Sequence, residues 1–109
     1  FGHLTGKYVQ KSNARGRVNL FPGYAKRYNK PGVNLAVEDY LNLAKEFNLT
    51  LTQMALSFVY RQWFVTSTII CATSMNQLKE NMSAYKINLQ EDILEKIDYL
   101  HLKRMNPAP

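Results

Sequence analysis

Apolar positions recur at helical spacing between residues 34 and 62. Val37, Tyr40, Leu41, Ala44 and Phe47 fall on one face, with Glu38 and Asp39 in the opening turns, where a helix dipole favours acids. Asn34 is the predicted N-cap of this helix, which runs to about Phe47. Thr50-Leu51-Thr52-Gln53 has the spacing of a capping box. It predicts a second helix that turns Met54, Ala55, Phe58 and Val59 inward and ends near Arg61-Gln62. The pattern then changes. Residues 65–71 are rich in β-branched side chains and too short for a helix, which predicts one buried strand. Ser74-Met75-Asn76-Gln77 is another capping-box spacing and opens a helix over 74–85, with Leu78, Met82 and Tyr85 as its apolar side. A last helix is predicted from about Glu91 to His101, with Ile93, Leu94, Ile97 and Leu100 facing in and a tail over the rest of 91–109.

The first third reads differently. From Gly6 to Gly32 there is no sustained period, and Gly16, Pro22, Gly23 and Pro31-Gly32 punctuate the stretch, so residues 1–33 are predicted as a long loop. Lys7, Lys11, Arg15, Arg17, Lys26, Arg27 and Lys30 fall here without a single acid. The net charge of +6 is therefore concentrated in one basic arm beside a balanced body. Such an arm suits an anionic partner. Tyr8, Phe21, Tyr24 and Tyr28 predict that the arm is partly packed down. One cysteine among 109 residues excludes an internal disulfide and suits a reducing compartment. No apolar run approaches the roughly 20 residues of a membrane span, and a cytoplasmic protein is expected. No internal repeat or low-complexity tract is present.

Four helices and one strand leave the strand without a partner, and its backbone N–H and C=O groups need one. The chain also opens at Phe1 in mid-motif. Both features are expected of a portion of a larger sheet protein. The run from Ser67 to Asn81 carries the clearest chemistry: a β-branched stretch enters a small-residue turn that opens a helix. Free N–H groups and the positive end of a helix dipole at that turn suit a phosphate.

Five segments in order carry a resemblance to a known family. They are Phe1-Gly2-x-Leu4-Thr5-Gly6-Lys7-Tyr8, Gln53-Met54-Ala55-Leu56-Ser57-Phe58-Val59, Ser67-Thr68-Ile69-Ile70-Cys71-Ala72-Thr73-Ser74, Gln77-Leu78-x-Glu80-Asn81 and Asn106-Pro107-Ala108-Pro109. Together they resemble the C-terminal third of an aldo-keto reductase, most closely the bacterial branch related to the β subunits of voltage-gated potassium channels. The resemblance implies an α/β fold, the C-terminal part of a (β/α)8 TIM barrel. It implies NADP as cofactor and hydride transfer to aldehydes and ketones, with a small-molecule carbonyl substrate.

On that resemblance Phe1-Gly2 and Lys7 follow the seventh strand beside the cofactor's pyrophosphate, and Arg17 takes the place of a phosphate-contacting arginine. Cys71 and Thr73 line the 2′-phosphate and ribose, and Gln77, Glu80 and Asn81 bind the phosphate and adenine edge from the last barrel helix. Positions 77, 80 and 81 are one turn apart and share a face. Cys71 departs from the glycine usual in that branch. The resemblance places the catalytic Asp, Tyr, Lys and His ahead of Phe1, so no catalytic residue and no metal ligand is assigned within this chain, and the chain alone is expected to be inactive.

Two other classes compete. A non-catalytic helical module whose basic arm binds nucleic acid would use the arm's cations and interleaved aromatics. It is disfavoured because between Asn34 and Gln62 only Lys45 and Arg61 are basic. Self-association through the Ile69-Ile70 edge is the other, giving a homo-oligomer.

Overall fold

A computed structural model of the protein describes residues 2–11, 13–21 and 23–108. Phe1, with its expected place beside a pyrophosphate, lies outside the described residues, as does Pro109 of the terminal motif. Six α-helices are present among the described residues: α1 (Lys7–Gln10), α2 (Arg17–Leu20), α3 (Pro31–Glu46), α4 (Leu51–Tyr60), α5 (Met75–Ser83) and α6 (Glu91–Lys103). Three 3-10 turns accompany them, at His3–Thr5, Lys26–Asn29 and Ala84–Lys86.

α3 begins three residues before the predicted cap. Lys30, in extended backbone, is its N-cap, and Pro31 occupies the first turn, where its fixed φ is already helical. The boundary expected between 33 and 34 therefore lies between 30 and 31. α4 follows the sequence closely. The Thr50 hydroxyl accepts from the Gln53 N–H at 3.1 Å, while the Gln53 side-chain oxygen accepts from the Thr50 N–H at 2.9 Å. α6 runs two residues past the expected end, with Glu91 and Asp92 in its first turn and His101 and Lys103 in its last, the charge order that its dipole favours.

α3, α4 and α6 enclose the core. Val33, Val37, Leu43, Ala44, Leu51, Met54, Leu89, Ile93 and Ile97 form one buried cluster, against which Tyr40, Leu41, Phe47, Phe58, Leu94 and Leu100 pack. Leu51 and Ile93 are the largest side chains wholly removed from water. α5 lies against α4 through a side that its apolar spacing did not indicate. Met82 and Tyr85 are exposed, while Asn81 and Ala84 are buried. The reason is a polar lock: the buried Ser57 hydroxyl of α4 donates to the Ala84 carbonyl at 2.8 Å. That bond turns the small residues of α5 and its 3-10 extension toward α4. The Gln77 half of the predicted second box also differs. Ser74 caps the Gln77 N–H at 3.3 Å, but the Gln77 side chain goes to Thr73.

The predicted strand is not formed. No residue between 61 and 74 is in a strand, and none of the described residues is. A ladder needs a second extended segment to pair with, and none of the described residues supplies one. Ile69, expected inside, is 94% exposed. The arm is also more structured than a loop, since it contains α1, α2 and the Lys26–Asn29 turn. Helices of four residues are too short to display a period. Gly6, at φ 74°, closes the His3–Thr5 turn and opens α1; a side chain there would be strained in the left-handed region and would also crowd Gln10.

Candidate functional site

Seven of the eight residues singled out from sequence meet in one cleft. Gly2 and Lys7 come from the start of the chain, Cys71 and Thr73 from the segment before α5, and Gln77, Glu80 and Asn81 from α5 itself. The cleft has a volume of about 750 Å³, within the usual range for cofactor sites. Arg17, the eighth, is exposed on α2 and lines none of the described cavities. A second cleft of about 540 Å³ adjoins the first and shares Gly2, Thr5, Thr52, Cys71 and Asn81 with it.

α5 fixes the far wall. Its N-cap, Ser74, leaves the helix's positive end at the cleft. The Gln77 side-chain oxygen accepts from both the Thr73 N–H at 2.8 Å and the Thr73 hydroxyl at 3.0 Å. Only an oxygen can accept twice, so the Gln77 amide group is oriented with its NH₂ away from Thr73. Asn81, 8% exposed, donates from Nδ2 to the Cys71 carbonyl at 3.3 Å. That bond ties the segment before α5 to the helix and explains an asparagine in a helix interior, where its propensity is mildly unfavourable. Cys71 itself is an exposed free thiol.

The near wall is cationic. The Lys7 ammonium lies 4.9 Å from the centre of the Tyr8 ring and 3.4 Å from the Arg15 carbonyl. Gly16 passes so close that an added Cβ would stand 2.2 Å from the Tyr8 hydroxyl and 2.7 Å from the Lys7 nitrogen. The basic arm thus folds back onto Lys7 and holds it. Lys11 and Lys45 line the same cleft, and neither was indicated by the sequence motifs. Lys11 carried only the general charge signal of the basic arm, and Lys45 belongs to a helix whose other signals are apolar. Thr50 also lines it. Its hydroxyl donates to Glu80 Oε1 at 2.6 Å, across 30 residues of sequence.

His3 secures the other end of the arm. Its ring stacks on Tyr28 at 4.2 Å and tilts against Tyr8 at 5.0 Å. Its Nδ1 is buried without a hydrogen-bond partner. Burial, followed by nearby positive charge including that of Lys7, holds the His3 imidazole below its ordinary pKa.

Three lysines, an oriented amide and a helix N-terminus around one cleft suit a ligand with several negative charges. Glu80 adds an acceptor for a neutral amine. An adenine dinucleotide carrying an extra phosphate has both features, and the donor set fits it.

Residues 1–101 match the sequence model of the Aldo/keto reductase family. The chain is 40% identical over 109 residues to Protein tas of Escherichia coli (strain K12), covering all of this chain and 32% of that protein. The same identity and coverage hold for Protein tas of Shigella flexneri. An aldo-keto reductase of Babesia bovis is 37% identical over 111 residues, covering 97% of this chain and 39% of the relative. The chain therefore spans about a third of the length of these curated relatives.

Proposed function

This chain belongs to the aldo/keto reductase family, and on that premise we propose that it forms the cofactor-holding end of an NADP-dependent reductase of aldehydes and ketones. It supplies the last part of a (β/α)8 barrel, and the segment 65–71 becomes the final strand when earlier strands flank it. The observation that carries the proposal is the convergence of Gly2, Lys7, Cys71, Thr73, Gln77, Glu80 and Asn81 on one cationic cleft.

The roles follow from chemistry. Lys7, held by Tyr8 and the Arg15 carbonyl, balances pyrophosphate charge. The Gln77 NH₂ and the N-terminus of α5 face the 2′-phosphate, with Thr73 fixing the amide. Asn81 holds the Cys71 backbone in place beside the ribose. Glu80 accepts from the adenine amine. When bound, the nicotinamide end of the cofactor supplies a hydride to the carbonyl carbon. These residues contribute binding and orientation at the other end, which lowers the barrier only through placement.

The test is fluorescence titration of NADPH and NADH into the full-length protein carrying this span, together with NADPH-dependent reduction of a panel of aldehydes and ketones. NADPH is expected to bind more tightly than NADH, and Asn81→Ala is expected to weaken NADPH by roughly tenfold, the usual effect of freeing a buried polar contact. Equal affinity for the two nucleotides, or an Asn81→Ala protein that binds as the parent does, would overturn the proposal.

A further inference from the structure

We infer that Thr50 is a positioning residue for Glu80, aiming its carboxylate into the cleft for the exocyclic amine of the adenine ring. This rests on the proposed function and deepens it. The observation is one hydroxyl with two duties. Thr50 Oγ1 accepts from the Gln53 N–H at 3.1 Å as the N-cap of α4, and the same oxygen donates its single proton to Glu80 Oε1 at 2.6 Å. Among the described residues Glu80 Oε2 has no hydrogen-bond partner, and Glu80 and Thr50 both line the cleft.

The chemistry explains why a hydroxyl is needed there. Aspartate or asparagine caps a helix at least as well as threonine, but aspartate has no proton to give to a carboxylate. A glutamate has three side-chain torsions, and one fixed oxygen removes most of that freedom before a ligand arrives, which reduces the ordering cost of binding. The anchor has a second effect. Lys7, Lys11 and Lys45 line the same cleft, and an untethered carboxylate would swing toward them and compete with phosphate. Thr50 keeps the one acid at the site turned to the base end.

Capping and positioning are separable by substitution. In the full-length protein, Thr50→Asp keeps the cap but loses the proton, while Thr50→Ser keeps both. Thr50→Asp is expected to raise the NADPH dissociation constant roughly tenfold, as loss of a charge-assisted hydrogen bond does, with Thr50→Ser close to the parent. The turnover number should change by less than about twofold, the signature of lost binding rather than lost chemistry. In a Glu80→Gln background, Thr50→Asp should have little further effect on NADPH affinity. An unchanged affinity in Thr50→Asp, with the parent binding NADPH normally, would overturn this inference alone. So would a loss of the same size in the Glu80→Gln background. A parent that binds no NADPH would overturn the proposed function and this inference with it.

Discussion

Arg104 Nε donates to Asp39 Oδ2 at 2.5 Å, joining the end of α6 to the middle of α3 across 65 residues. Lys103 adds its ammonium to the same oxygen at 3.4 Å. The hydrogen bond from Arg104, with the charges of Arg104 and Lys103, outweighs desolvation and holds the Asp39 carboxyl below the ordinary aspartate pKa. A carboxyl shifted in that direction stabilises the fold above its unfolded-state value, about 3.9. That contribution is lost as pH falls through the folded-state value. Asp39→Asn is therefore expected to unfold more easily than the parent at pH 7, and the difference should close in acid. Urea unfolding at pH 7 and below pH 3 (roughly an aspartate unit beneath its usual value) checks it; a difference that is constant with pH would count against the pair.

The Ser57 hydroxyl is the only side-chain partner seen for the buried Ala84 carbonyl among the described residues. The Ala84 carbonyl also accepts from the Ile87 N–H at 3.2 Å, so Ser57→Ala removes one of its two donors and should cost about 0.5–1.5 kcal/mol, the net worth of an ordinary hydrogen bond. Thermal unfolding of the variant is the measurement. A midpoint equal to the parent's would show that α5 is held on α4 by apolar contact alone.

Local signals were legible and distant ones were not. The Thr50–Gln53 box could be read because both partners lie in one turn, and α4 begins where it predicts. The inward face of α6 was equally plain, since Ile93 and Ile97 repeat at helical spacing and are buried. The side of α5 was not, because Met82 and Tyr85 compete with Asn81 and Ala84 as stripes on the same helix, and a serine 27 residues away decides between them. α3 starts at Pro31 rather than behind Asn34 because proline is preset for the first helical position. The seven residues that line the cleft follow from the family resemblance rather than from periodicity. The Thr50–Glu80 hydrogen bond leaves no mark in the sequence, since it joins two elements 30 residues apart.

The double grip of Gln77 on Thr73 has a consequence for nucleotide choice. Glutamate at this position keeps the oxygen that receives both Thr73 donors, so the turn and the helix start survive the exchange. The remaining atom, however, changes from a donor with partial positive charge to part of an anion. Gln77→Glu is thus a one-atom replacement that should leave NADH binding nearly intact while weakening NADPH by tenfold or more, by roughly the repulsion of two like charges at close range. The ratio of the two dissociation constants measures it directly. Discrimination between the two dinucleotides would then hang on the identity of a single terminal atom, with the hydrogen bonds behind it unaltered.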